Sequence, residues 1–218
     1  MGAEKAGVAK RGLPLVTLAQ PPEAIATIER VAAANGALLF VEGREWHIDD
    51  SLTPSLPGLH QLRNASLAAE MARRYGVGDA YIRSGIASAR WPARFQKLGN
   101  GPLARGRKIW IDGAHNPAAA HALAAMIAGR KLHIILGILA NKDAEGIVAP
   151  LAAQAASLTF VDVPGHASHD AQALAGHWSG RSANDLSGAT DALTDDILIA
   201  GSLYLCGEAL RLNEQQPD

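Results

Sequence analysis

The sequence predicts an α/β fold with a mostly parallel sheet and helices on both faces, preceded by a smaller region of helices and a small hairpin. Two observations carry this. From Lys108 onward short apolar strands alternate with helical segments, the pattern of a parallel sheet covered on both faces. Before it, SARWPARFQKLGNGPLARGRK is rich in glycine and proline and has no periodicity, so it reads as a linker. The expected organisation is therefore residues 1–90, a linker over 91–106, and a second domain over 107–218.

Taken in order, residues 20–36 read as a helix. Prolines open it, Ile25, Ile28 and Val31 or Ala32 recur at helical spacing, and Asn35-Gly36 ends it. ALLFVEGREWHI reads as two short strands about a Glu42-Gly43 turn, a hairpin rather than a crossover. LHQLRNASLAAEMARRYG follows as a helix with Leu59, Leu62, Ser66 or Leu67, and Met71 or Ala69 facing a core, and Arg63, Glu70 and Arg73 solvated. A third helix spans about Asp79 to Ser88. The second domain then reads KIWID strand, PAAAHALAAMIA helix, LHIILG strand, DAEGIVAPLAAQ helix, SLTFVDV strand, a helix from about Asp170, ILIAG strand and LYLCGEALRLNEQQ helix.

Composition excludes some function classes. With 20 Lys+Arg against 21 Asp+Glu, net charge gives no broad attraction to nucleic acid or an anionic membrane. The apolar runs fall short of the roughly 18 residues that span a bilayer, and MGAEKAGVAKRG has no signal-peptide core. The single Cys206 reads as a small buried hydrophobe in a reducing compartment. A soluble, cytoplasmic monomer is expected, without nucleic-acid or membrane partners.

In a parallel sheet, ligands gather outside the carboxyl ends of the strands. Three loops there carry glycine: DGAHNP, GILANKD and GSLY. Asn116-Pro117 is a favoured helix start. Asp112 can close an Asx turn or hold ribose hydroxyls, a cation's water or an amine. His115 can donate to phosphate or carboxylate, or be an ordinary loop histidine. Arg94 can reach phosphate oxygens bidentately across a cleft or simply be solvated. Gln61 and Asn64, one helical turn apart, can read an adenine edge or bond a neighbouring loop. Lys142-Asp143 looks like a first helical turn, and Ser202 like an N-cap whose hydroxyl could also face a carboxylate. His166, His169, Asp170 and His177 form the one histidine cluster, without the spacing of a structural zinc site. The chain has no G-x-G-x-x-G, no Walker A lysine loop and no G-x-S-x-G elbow.

Read in order, EKAGVAKRGLP, PPEAIATIE, LPGLHQLRNA, RWPARFQ, IDGAHNPAAA, GILANKD and GSLYLCGE resemble folylpolyglutamate synthase of the Mur ligase superfamily, including its bifunctional dihydrofolate synthase form. The resemblance runs from about Glu4 to Glu208. DGAHNP alone also occurs in the cell-wall Mur ligases; seven motifs in order are far more specific. The resemblance implies a Rossmann-like carboxyl-terminal ligase domain preceded by a remnant of the central ATP-binding domain. It also implies a reaction: ATP-dependent addition of L-glutamate to dihydropteroate or folate through an acyl phosphate, with Mg2+ on the phosphates.

By motif, Asn64, Arg94 and Asp112 would contact ATP. Asp112 and His115 would be catalytic, and His115 and Ser202 would face glutamate. Lys5 matches a lysine that the family can carbamylate to bind the metal. Ala93 stands where the family usually has glycine; if that position needs positive φ, Arg94 would be displaced. The family's glycine-rich phosphate loop should precede EKAG, so the chain is expected to be the carboxyl half of a ligase and inactive alone. A non-catalytic nucleotide- or amino-acid-binding module and a metal-dependent hydrolase built on Asp112, His115 and the histidine cluster are the competing readings.

Overall fold

The computed structural model describes residues 2–194 and 196–217. The chain divides into two compact units, residues 1–89 and 90–218.

Unit 1 runs α1 (Gly2–Ala6), β1 (Pro14–Thr17), α2 (Pro22–Asn35), β2 (Leu38–Val41), α3 (His60–Arg74) and α4 (Asp79–Ser88). β1 and β2 pair in parallel, from Pro14 opposite Leu38 to Thr17 opposite Val41, with α2 as the crossover between them. The expected hairpin is therefore a crossover unit instead. The reason lies in the Glu42-Gly43 turn, which folds over the end of β1 rather than starting a returning strand. Val41 N–H donates to the Glu45 carboxylate at 2.8 Å, and Gly43 N–H to the Trp46 carbonyl at 2.8 Å. The Trp46 indole, 5% exposed, donates to the Thr17 carbonyl at 3.2 Å.

The helices of unit 1 follow their local signals. α2 ends as expected at Gly36, whose φ of 64° lets its N–H reach the carbonyls of Ala32 and Ala33. α3 buries Gln61, Ser66 and Ala69, and Leu62, Ala65 and Ala72 pack with Ala69 against Leu52 and Ile82. Leu59, expected in the core, is 97% exposed, because it precedes the helix and lies off the buried face. Met71 is also exposed.

Unit 2 runs β3 (Gln96–Lys97), β4 (Ile109–Asp112), α5 (Pro117–Ile127), β5 (Leu132–Leu136), α6 (Ala144–Ala152), β6 (Ala155–Phe160), α7 (Ala171–His177), β7 (Arg181–Ser182), α8 (Leu186–Asp191), β8 (Ile197–Ala200) and α9 (Leu203–Leu212). Its six strands lie in the order β3-β4-β8-β5-β6-β7, all neighbours parallel except β3 with β4. Successive residues point to opposite faces. Ile134, Leu136, Leu198 and Phe160 pack under α5, α6 and α7, while Ile109, Ile111, Ile135, Ile197 and Ile199 pack under α8 and α9. This is the α/β sheet with helices on both faces that the alternation of short apolar strands requires.

Residues 91–106, expected as a linker, lie inside unit 2. β3 is a sheet edge there, Ala93, Leu98, Leu103 and Ala104 are buried, and Ala104 N–H donates to Asn213 Oδ1 at 3.0 Å. Glycine and proline in this stretch bend a packed segment. No helix among the described residues is long and apolar enough to cross a membrane.

Candidate functional site

β4, β5 and β8 are parallel neighbours, so the loops at their carboxyl ends share one edge of the sheet. Asp112, the last residue of β4, is 8% exposed and works as a junction. Its Oδ1 accepts from Ala114 N–H at 2.9 Å, closing the Asx turn, and its Oδ2 accepts from Phe95 N–H at 2.8 Å. The carboxylate therefore ties the 93–95 turn to the loop that starts α5.

That turn is unusual in its backbone: Ala93 and Phe95 both take positive φ, 56° and 46°. The position where alanine stands in place of glycine does need left-handed backbone, and Ala93 adopts it, 3% exposed, with its carbonyl accepting from Gly113 N–H at 2.9 Å. A Cβ on Gly113 would lie 3.3 Å from Arg94 Nη1 and would fall on Leu203 Cδ2 at the start of α9. A side chain at 113 would therefore push the Leu203 side chain aside and press on the Arg94 guanidinium. On the sheet side of the same turn, the Phe95 and Trp110 rings stack at 5.9 Å, with the Arg130 guanidinium 5.2 Å from the Phe95 centroid.

His115 Nδ1 lies 2.8 Å from the Gly113 carbonyl. A carbonyl only accepts, so Nδ1 carries the proton and Nε2 is the basic nitrogen of the neutral ring. Asn116 starts α5 as its composition requires, its side chain accepting from Ala119 N–H at 2.9 Å. Ser202, 1% exposed, starts α9 by accepting from Tyr204 N–H at 3.1 Å. It follows Gly201, whose φ of 99° turns the chain out of β8. Cys206, one turn into α9, is buried; burial, and then the nearby Asp112 carboxylate, push its thiol well above the ordinary value. Arg94, Asp112, Gly113, His115 and the first turn of α9 thus form one cluster in unit 2.

The third loop is held differently. His169 Nε2–H donates to the Lys142 carbonyl at 2.9 Å, and Ala140 N–H to the Ala167 carbonyl at 3.0 Å, so the β5–α6 loop is laced to the loop before α7. Asp143 and Asp170 are N-caps of α6 and α7. The His166 ring stacks on Tyr204 at 3.7 Å, and His177 lies 3.4 Å from Glu145. The four residues of the histidine cluster thus have four separate settings. Among the described residues no three His, Cys, Asp or Glu side chains gather as a metal site.

Unit 1 contains its own candidate. Asn64 Nδ2 donates to Gln61 Oε1 at 3.1 Å, and the pair lines a cavity of about 170 Å³ whose other walls include Pro54, Leu56, Ala65 and Ile86. The bond leaves one amide oxygen on Asn64 and one NH2 on Gln61 for a partner. Lys5 lies on α1 beside a larger cavity lined by apolar groups, with Thr17 and Gln20 as the polar neighbours. Among the described residues no carboxylate or imidazole lines that cavity.

Phe95, Gly113 and Leu203 were not singled out from sequence. Nothing in RWPARFQ marks a main-chain N–H as the partner of Asp112, because alanine and phenylalanine carry no preference for left-handed backbone. Gly113 was legible only as a turn glycine.

Comparison with known proteins agrees with this geometry. Residues 93–205 match the model of the Mur ligase family described as "Mur ligase, glutamate ligase domain". The folylpolyglutamate synthase of Lacticaseibacillus casei is 31% identical over 241 residues, which is 92% of this chain and 54% of that protein. The structure of Escherichia coli FolC in complex with DHPP and ADP superposes with a TM-score of 0.81 at 28% identity, over 98% of this chain and 56% of that one. The bifunctional folylpolyglutamate synthase/dihydrofolate synthase from Yersinia pestis, complexed with AMPPNP and Mn ion, gives 0.78 at 26% identity, over 96% and 55%. The chain spans about half the length of the relatives it matches. It belongs to the Mur ligase family, carries the glutamate ligase domain of that family, and has folylpolyglutamate and dihydrofolate synthases as its relatives.

Proposed function

We propose that the chain supplies the glutamate side and part of the nucleotide side of an ATP-dependent amide ligase that joins L-glutamate to dihydropteroate or folate. The carboxylate takes the γ-phosphoryl group of ATP to give an acyl phosphate and ADP; the glutamate amine then attacks the acyl carbon, phosphate leaves, and the amine sheds a proton. The observation that carries this reading is the junction at Asp112, which ties the turn bearing Arg94 to the loop at the carboxyl end of β4, with the Arg94 guanidinium close to Gly113.

In this reading Arg94 and Asp112 are the nucleotide contacts of unit 2, Arg94 for phosphate oxygens and Asp112 for ribose or as the anchor of the turn. His115 offers basic Nε2 to accept the proton that the glutamate amine sheds, and the Ser202 hydroxyl faces the glutamate carboxylate. In unit 1 the Asn64–Gln61 pair presents an acceptor and a donor in an apolar slot, the pairing that an adenine edge requires. Magnesium would neutralise the charge of the phosphates. Since phosphoryl transfer depends on positioning and electrostatics, and the chain has no phosphate-cradling lysine loop, no turnover is expected from these residues alone.

A titration of the 218-residue chain with L-glutamate and, separately, with a non-hydrolysable ATP analogue tests the assignment by nuclear magnetic resonance. Glutamate should shift His115 and Ser202, and the analogue should shift Asn64 and Arg94. Absence of both responses, or folate-dependent ATP hydrolysis by the chain alone, contradicts it.

A further inference from the structure

The turn that carries Arg94 is closed by a side chain with no part in the proposed reaction. Gln96 opens β3, two residues beyond Arg94, and pairs with Ile111 of β4. Its Oε1 reaches back across the turn and accepts from Ala93 N–H at 3.0 Å. Its Nε2 is buried and has no hydrogen-bond partner among the described residues. A buried donor without a partner is destabilising, so the amide as a whole adds little to the fold. What it supplies is one acceptor at one place. The residues on either side of Arg94, Ala93 and Phe95, are both left-handed, at φ 56° and 46°, a conformation that residues bearing a Cβ resist. The Ala93 carbonyl is fixed by Gly113 N–H at 2.9 Å, and the Phe95 N–H by Asp112 at 2.8 Å. Gln96 fixes the remaining end, the Ala93 N–H, so the torsions of Ala93 lie between two held groups. Released there, alanine would relax to negative φ.

We infer that Gln96 is a positioning residue for Arg94. Through the Ala93 N–H it keeps the turn left-handed, and that backbone sets where the Arg94 guanidinium lies near Gly113. A guanidinium that grips phosphate oxygens in a bidentate way depends on direction as much as on charge. Loss of this one acceptor therefore acts on nucleotide binding more than on folding. The inference rests on the proposed nucleotide role of Arg94. A packing role for Gln96 would follow the volume of its side chain, whereas a positioning role follows the acceptor oxygen. The two separate in Gln96→Met, which keeps the length and removes the oxygen, and in Gln96→Glu, which keeps an acceptor oxygen and removes the unpaired NH2.

The test compares the 218-residue chain and its variants by nuclear magnetic resonance. The coupling between Hα and the preceding carbonyl carbon reports the sign of φ at Ala93, and the Nε–H resonance reports Arg94. Gln96→Met should turn Ala93 to negative φ, move the Arg94 resonance and weaken binding of a non-hydrolysable ATP analogue at least about tenfold. Its urea midpoint should stay close to that of the parent, because the lost bond and the lost unpaired donor offset each other. Gln96→Glu should keep positive φ and lose less than about threefold in affinity, since an acceptor remains. Adding Ala93→Gly to Gln96→Met should regain at least about threefold, because glycine takes left-handed backbone freely. Ala93 still at positive φ in Gln96→Met, an Arg94 resonance that does not move, equal losses in Gln96→Met and Gln96→Glu, or weakening in step with the urea midpoint would overturn the proposal. If the parent chain does not bind the analogue, the proposed nucleotide role of Arg94 fails, while the coupling and the Arg94 resonance still decide the role of Gln96.

Discussion

Unit 2 and unit 1 are both α/β, yet they solve the problem of covering a sheet to different degrees. In unit 2, Ile109, Ile111, Ile134, Ile135, Leu136, Ile197 and Ile199 are all fully buried between two helical layers. Each such side chain contributes about 1.5–3 kcal/mol relative to exposure, enough in sum to hold a parallel sheet against its loop-closure cost. In unit 1 the four residues of β1 are only half-buried, and the fold relies on Trp46, the small cluster under α3 and α4, and ion pairs. The difference teaches where rigidity is available. The Asp112 junction stands on the well-covered sheet, whereas the Asn64 slot stands on the poorly covered unit.

The comparison can be broken at several points. The largest effect is expected in the core of unit 2: Leu136→Ala should cost about 3–5 kcal/mol in urea unfolding, while Leu52→Ala, in the thin cluster of unit 1, should cost less than half as much. Equal losses would mean that the two cores are equivalent. Next, Gly201→Ala forces a side chain into φ 99° with its Cβ 2.8 Å from the Gly137 carbonyl. A loss of about 2–3 kcal/mol is expected, read as a lowered melting temperature of unit 2; an unchanged value would show that the β8–α9 turn is slack.

Smaller effects sharpen the picture. Arg130→Ala removes the cation above Phe95 and should cost about 0.5–1 kcal/mol, while weakening protection of the Phe95 amide that bonds Asp112. Protection unchanged would separate the stack from the junction. The smallest effect concerns unit 1. The Ser51 hydroxyl, and then the Arg73 guanidinium 2.8 Å away, hold the Asp49 carboxyl down at about 2. A carboxyl depressed in the folded state stabilises above its unfolded value, near 3.9, and that contribution is lost as pH falls from about 4 toward 2. Acid unfolding followed at Trp46 should therefore be shallower in that window for Asp49→Asn, and an identical slope would remove Asp49 from the account.

Much of unit 2 was legible because its strands are short apolar runs set between helices, four of which declare their start with Asn116, Asp143, Asp170 or Ser202; α8, six residues long and begun by Asp185, did not stand out. Unit 1 was harder. PLVT is four residues long and begins with proline, so β1 gave no periodic signal, and without β1 the run at Leu38 had only the Glu42-Gly43 turn to suggest a partner. In the site, Asp112, His115 and Ser202 stood out through local turn chemistry. In the 93–95 turn only the family likeness hinted at positive φ, at position 93, because its left-handed backbone goes with bonds to Asp112 and Gly113 rather than with its own residue types.

Native-state hydrogen exchange on the 218-residue chain tests the central asymmetry most directly. Amides of Ile109–Asp112, Leu132–Leu136 and Ile197–Ala200 should exchange only on global opening of unit 2. Those of Leu15–Thr17 and Leu38–Val41 should exchange at least about a hundredfold faster, through a lower-energy opening of unit 1. Equal protection of the two sets would contradict the account, since it would mean that unit 1 has all the cover its sheet needs.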